Sequence, residues 1–179
     1  MEEQTLIRDV LDGNATAERA LYDEHVDRVY ALAYRMTRDP NEAREYTQDA
    51  FVKAFDSLSG FRGDSAFSTW LHSVTVSVIL NGLRKRKRIR SREIGMEDLE
   101  PVAGGRAPVN PGLKHHLIRA VDGLTDILRV VFVLHDVEGY KHREIATMLD
   151  IPEGTSRARL NRAREALRAE LSDFVLGEA

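Results

Sequence analysis

The segment 91–112 does most to limit what this chain can become. It holds Pro101, Gly104, Gly105, Pro108 and Pro111 among scattered acids and shows no sustained apolar period. Proline removes backbone donors and glycine is costly to order, so such a stretch connects packed bodies instead of joining a core. On both sides of it apolar residues recur at helical spacing. The expectation is an all-α protein of two small helical domains, 1–90 and 113–179, joined by a flexible linker over 91–112. With 179 residues and 42% hydrophobic content, the chain has enough apolar surface for two modest cores.

In the first half, Leu6, Ile7, Val10 and Leu11 form a stripe that stops at Gly13, which predicts a short amphipathic helix over Glu2 to Asp12. After Asn14 a longer pattern runs to about Thr37, with Ala17, Leu21, Val29, Leu32 and Met36 facing inward. Asp39-Pro40-Asn41-Glu42 has the form of a capping box with proline at the first helical position, and opens a helix over about Pro40 to Ser57. One side of that helix carries Ala43, Thr47, Ala50, Phe51, Ala54 and Leu58, and the other carries Glu45, Gln48, Asp49, Val52 and Asp56. By composition this second side is a solvated acidic face with one apolar residue in it.

Phe61-Arg62-Gly63-Asp64-Ser65 reads as a loop, with Gly63 at a turn and Ser65 placed to cap the next helix. That helix should run to about Arg88, with Phe67, Trp70, Leu71, Val74 and Val78 on one face. Val76, Ile79, Leu80 and Leu83 give it a second apolar face, and a helix apolar nearly all round is usually buried. The second face is expected to pack on the N-terminal helices or on a regulatory partner.

The net charge of −3 conceals an uneven layout. Residues 1–83 carry 8 basic and 14 acidic side chains, whereas 84–92 carry 7 basic and none acidic. Arg84, Lys85, Arg86, Lys87 and Arg88, extended by Arg90 and Arg92, exceed what complementing a helix dipole requires, and phosphate is the natural partner. A second concentration lies near the C-terminus. There Gly139 to Leu171 reads as two helices joined by a sharp turn at Asp150-Ile151-Pro152, with Ile145, Ala146 and Leu149 inward on the first. On the second, Leu160, Ala163, Leu167 and Leu171 share one side, and Arg157, Asn161, Arg164 and Arg168 share another. Such a stripe offers guanidinium forks and an amide to base edges and phosphates, with Arg159 and Arg162 flanking it. Ahead of it, Leu117, Val121, Leu124, Leu128, Val131, Phe132 and Leu134 supply the rest of the second core.

Three stretches, in order, give the chain a family likeness. AREYTQDAFVKAF, FRGDSAFSTWL and EGY…EIATMLDIPEGTSRARLNRAREALR resemble the extracytoplasmic-function group of sigma-70-family sigma factors, over about residues 15–172. The resemblance implies an alternative sigma factor that binds bacterial core RNA polymerase and directs promoter-specific initiation. Under it, Glu45, Gln48, Asp49, Val52 and Asp56 dock on the polymerase clamp helices, although Arg44 stands where an acid is usual. Phe61, Arg62, Asp64, Ser77 and the run Arg84, Lys85, Arg86, Lys87 and Arg88 serve the minus-ten element, with the Phe61 loop lining a pocket for a flipped base. Arg157, Ala158, Asn161, Arg162, Arg164 and Arg168 serve the minus-thirty-five element, with His135 as a phosphate contact. Thr75, Val76 and Ser77 depart from the usual small, Arg or Val, then Asn, and imply altered or weaker minus-ten recognition. Thr125 replaces a usual proline.

The resemblance implies promoter DNA, core polymerase and an anti-sigma factor as partners, in the cytoplasm, where an anti-sigma factor could hold the chain near the membrane. No catalytic role, cofactor, metal or small-molecule substrate is expected. There is no cysteine, and the six histidines do not assemble a ligand set. The opening MEEQTLIRDVLDG is no secretory signal, and no apolar run approaches membrane-spanning length. Two other functions fit parts of the pattern: a stand-alone helix-turn-helix regulator, and a sigma-like interaction protein that titrates an anti-sigma factor.

Overall fold

The computed structural model describes residues 3–94 and 113–177, without the side chains of 87, 89–94, 113–115 and 173–177. The described residues are helical with no strand, and the chain divides into two units, Met1–Ile94 and Gly95–Ala179. Among them no helix is long and apolar enough to cross a membrane.

The first unit packs α1 (Glu3–Leu11), α2 (Ala15–Thr37), α3 (Pro40–Ser57) and α4 (Phe67–Ile94), with a 3-10 turn at Leu58–Gly60. Its corners follow from local chemistry. Gly13, at φ +85°, leaves α1, and the Asn14 side chain then accepts from the backbone N–H groups of Thr16 at 3.0 Å and Ala17 at 3.3 Å to start α2. At the other end Arg38 turns left-handed, and Asp39 Oδ1 accepts from Asn41 N at 2.7 Å and Glu42 N at 3.0 Å. Those two donors hold the Asp39 carboxyl below its ordinary range. Half of the expected capping box is thus present. The other half is missing because the Glu42 side chain crosses to Arg86 on α4.

Ser65 does not cap α4. Its hydroxyl points at the Ala66 carbonyl, which itself receives the N–H groups of Thr69 and Trp70, and it is Glu3 Oε2, from α1, that accepts from Phe67 N at 3.3 Å. A carboxylate supplied by another helix satisfies a first-turn donor and complements the positive end of α4.

Leu21, Phe51, Leu58, Phe67 and Leu71 lie at the centre of one core cluster, and Leu32, Met36, Ala43, Val76, Ile79 and Leu80 are also buried. The second apolar face of α4 is therefore covered by its own unit, as the first of the two expected arrangements had it. Gly82 permits a close approach there, since a Cβ at that position would sit 2.2 Å from the Tyr46 ring. Helix α4 continues past Arg88 to Ile94, so the cationic run lies within a helix and the first residues of the expected 91–112 segment are helical. The rest of the expected linker lies outside the described residues.

The second unit contains α5 (Leu113–Gly123), α6 (Asp126–Phe132), a π turn (Val133–Val137), α7 (His142–Leu149) and α8 (Glu153–Gly177). Ala120, Leu124, Ala163 and Leu167 form a cluster with Val121, Leu128 and Phe132 against it, while Val131, Leu134, Ile145 and Leu160 are also buried. Leu117, expected in this core, is 42% exposed, because among the described residues the cluster reaches no further toward the start of α5 than Ala120. The α5–α6 corner is closed by Arg129, which is 5% exposed. Its guanidinium donates to the carbonyls of Val121 at 3.2 Å, Asp122 at 2.9 Å and Leu124, and to Asp126 Oδ1 at 2.9 Å. The Val121 carbonyl also accepts from Leu124 N at 3.3 Å, so it is the Asp122 and Leu124 carbonyls that depend on Arg129.

Candidate nucleic-acid interface

The outer face of α3 is presented as its periodicity predicts. Glu45, Gln48, Asp49, Val52 and Asp56 are all exposed, and Val52, at 62%, is the apolar foothold among them. Arg44 turns back along its own helix, with Nη1 donating to Asn41 Oδ1 at 3.2 Å.

In the loop before α4, Gly63 takes φ +75° and leaves Arg62 and Asp64 in solvent. Phe61 is half-buried. Its ring meets Phe67 edge-on at 6.0 Å and Trp70 at 5.3 Å, so it plugs the core while part of it remains accessible. Thr75 is fully buried and donates to the Leu71 carbonyl at 2.8 Å, whereas Ser77 is exposed. The three positions of that departure thus divide in kind: Thr75 and Val76 belong to the core, and Ser77 faces outward.

The cationic run is not a uniform brush. Lys85 and Arg88 are exposed, Arg84 Nη1 donates to Asn81 Oδ1 at 3.0 Å, and Arg86 forms a partly buried ion pair with Glu42. The side chain of Lys87 lies outside the described residues. Glu42 was legible as a capping residue only, and nothing local announces its pairing with a residue so far along the chain.

The helix-turn-helix is built by short-range bonds. Asp150 turns left-handed at φ 53°, Ile151 N donates to the Ala146 carbonyl at 3.0 Å, and the Pro152 carbonyl accepts from Thr155 N at 2.9 Å to start α8. Glu144 closes back on Lys141 N at 2.7 Å to start α7. Arg157, Ala158, Asn161, Arg162, Arg164 and Arg168 all face solvent. They are not equivalent. Among the described residues the side chains of Asn161, Arg162 and Arg168 hold no hydrogen bond or ion pair, whereas Arg157 pairs with Glu153 one turn back. Arg164 pairs with Asp136 through two bonds, Nη2 to Oδ1 at 2.6 Å and Nε to Oδ2 at 3.0 Å.

Asp136 comes from the π turn, whose wider loop is closed by Glu138 N donating to the Val133 carbonyl at 2.9 Å. π turns gather at functional positions because the extra residue re-aims its neighbours. Here the two re-aimed residues are His135, with Nδ1 2.7 Å from Asp136 Oδ1, and Asp136 itself. The Asp136 carboxyl is held below its ordinary range chiefly by the hydrogen bond from Arg164, against the opposing effect of burial. The His135 ring stacks on His142 at 4.4 Å, and His142 Nδ1 lies 3.0 Å from the Ser156 hydroxyl. Burial first, then the charge of His135, lowers the His142 pKa and favours its neutral form. The sequence shows these histidines only as separated by a glycine loop. Among the described residues they gain no third ligand and form no metal cluster.

Two family models match the chain, Sigma-70 region 2 over residues 21–89 and Sigma-70 region 4 over residues 115–167. The chain is 32% identical to the RNA polymerase sigma-H factor of Pseudomonas aeruginosa, covering 97% of this chain and 96% of that one. It is equally 32% identical to the ECF RNA polymerase sigma factor SigW of Bacillus subtilis, over 94% and 96% respectively. A solved structure of similar fold is the sigma factor RpoE of Bartonella quintana in complex with the anti-sigma factor NepR. It has 22% identity and a TM-score of 0.58, covering 86% of this chain and 96% of that one.

Proposed function

We infer the work of this chain from the family it belongs to, the extracytoplasmic-function group of sigma-70-family sigma factors. It is an alternative sigma factor, which binds core RNA polymerase and directs promoter-specific initiation, acting as an initiation factor and not as a catalyst. The observation that carries this reading is that both regions occur in order along one chain that spans nearly the full length of its relatives.

The residue assignments go further and are our own. The α3 face of Glu45, Gln48, Asp49, Val52 and Asp56 docks on polymerase, where Val52 loses water and the polar groups set register. The Phe61 loop, with Arg62 and Asp64, receives an unpaired base of the minus-ten element, and Ser77 with the cationic run of α4 follows the strand. Along α8, Ala158 lets the backbone come close to the duplex, Asn161 reads an edge, and Arg157, Arg162, Arg164 and Arg168 supply forks to bases and phosphates of the minus-thirty-five element. His135, half-buried in the π turn beside Asp136, touches phosphate. The chain works in the cytoplasm and is restrained by an anti-sigma factor.

The test is transcription from fragmented genomic DNA of the source organism by purified core polymerase, with and without this protein, mapping new RNA starts. Discrete starts sharing two spaced upstream motifs are expected. Co-elution with core without starts would place the fault in the Thr75 to Ser77 departure or in a missing activator. No binding to core would defeat the reading, and DNA binding by the free protein would then separate a plain regulator from an anti-sigma decoy.

A further inference from the structure

We propose that Asp136 positions Arg164 for promoter reading, and that its carboxylate keeps the recognition stripe from binding duplex indiscriminately. The inference rests on the sigma-factor reading above and adds to the stripe a residue that touches no DNA itself.

An arginine on a helix surface ordinarily samples many rotamers, and a wandering guanidinium finds any phosphate in reach. Arg164 does not wander: two of its N–H groups are committed to Asp136 in the fork-to-fork arrangement that fixes both partners' planes. Asp136 is itself fixed, since the π turn sets its direction and His135 Nδ1 holds the same Oδ1. Of five guanidinium N–H donors, three remain, on Nη1 and the second Nη2 position, and the Arg164 side chain is still 44% exposed. The group can therefore meet a base edge while it stays clamped. What it cannot do is swing to a passing phosphate without leaving the clamp.

The carboxylate also acts by charge. Phosphates brought near α8 meet a fixed negative group beside the positive ones, which penalises any duplex whose bases do not engage the clamped fork. Arg162 and Arg168 hold no ion pair among the described residues and supply phosphate attraction without such a restraint. The stripe thus combines two unrestrained cations with one restrained reader. Arg157 is a weaker case, because its partner Glu153 lies on the same helix and both are well exposed.

The test uses holoenzyme carrying the wild-type chain, Asp136→Ala, Asp136→Asn or Arg164→Gln. Each is titrated, at several salt concentrations, with the mapped promoter duplex and with duplexes changed one base pair at a time across the minus-thirty-five element. Asp136→Ala should bind mismatched duplexes about threefold to tenfold more tightly, with a salt slope steeper by about one freed cation. Its discrimination at one base pair should fall about fivefold, at the same position where Arg164→Gln loses discrimination. Asp136→Asn, which keeps an acceptor without the charge, should fall between, and it carries the test if the alanine variant melts below the assay temperature.

The inference is overturned if Asp136→Ala keeps wild-type discrimination and slope, or if Arg164→Gln alters no position. It is equally overturned if Asp136→Ala weakens all duplexes alike, as a purely structural role would do. Wild-type holoenzyme that fails to assemble or to initiate would instead defeat the sigma reading, so the two failures are distinct.

Discussion

The two units are held together by different means. The first closes around rings: Tyr22 against Phe51 at 4.6 Å, His25 against Phe67 at 5.3 Å, and Phe61, Phe67 and Trp70 packed on one another. The second has one ring in its described cluster, Phe132, and is cross-linked by polar bonds from Arg129, Arg164 and His142. A smaller body buries a smaller share of its surface, so directional bonds take over where apolar area runs short. The difference teaches where each unit is vulnerable. Apolar packing fails when a shape changes, and polar stapling fails when one group is deleted.

Arg129→Ala should break the stapled unit most severely, by about 3 kcal/mol, because it strands the Asp122 and Leu124 carbonyls at the α5–α6 corner and removes the bonds to Val121 and Asp126 at once. The chain's one tryptophan, Trp70, lies in the first unit. In urea unfolding followed by far-ultraviolet circular dichroism, the second unit's share of the signal should therefore move to lower urea, while the fluorescence transition of Trp70 stays in place. Gly82→Ala is the matching insult to the packed unit. The new methyl would overlap the Tyr46 ring, and a cost of about 2 kcal/mol is expected, now seen in the fluorescence transition. Shortening the ring, as Tyr46→Leu, should recover part of that loss in a double-mutant cycle.

Acid sharpens the contrast more gently. The native Asp136 carboxyl sits below its ordinary value of 3.8 because of Arg164, so the pair's contribution is full above that value and fades as the pH falls through the lowered native one. Asp136→Asn should flatten the stability of the second unit across that range and leave the first unit's acid profile unchanged. The smallest change should be a gain. Thr125 has φ −59°, which proline adopts without strain, and its side chain makes no cap bond. Thr125→Pro is expected to stabilise the second unit by about 0.5 kcal/mol in the same urea measurement.

What could be read from the residues alone was what adjacent residues decide. Asp39-Pro40 announced α3 to the residue, the two sides of that helix came out as written, and the turn at Asp150 to Pro152 followed from its local composition. The apolar second face of α4 was correctly expected to be covered. The pairings that cross from one element to another left no such trace. Glu3 caps a helix sixty-four positions away, Arg164 reaches back twenty-eight to Asp136, and Glu42 reaches forward forty-four to Arg86. No periodicity records which of many charged residues will meet. Arg129 was hidden differently, as one cation in an apolar run where the pattern marks only its neighbours as core. The end of α4 was misplaced because a run of like charge looks like a boundary, whereas helix geometry continues until the backbone is interrupted.

That uninterrupted helix sets a scale. Its 28 residues, at about 1.5 Å each, make a rod of roughly 42 Å with a fixed angular phase. Ser77, Arg84 and Arg88 fall within about 40° of one line along it, at roughly 100° per residue. The span from Ser77 to Arg88 is about 16 Å, the length of about five nucleotides of one strand at 3.4 Å each. Such a rod is both ruler and protractor. One residue inserted between Gly82 and Arg84 would change the length little and swing the helix beyond it through more than a quarter turn, taking Arg84 and Arg88 off the line of Ser77.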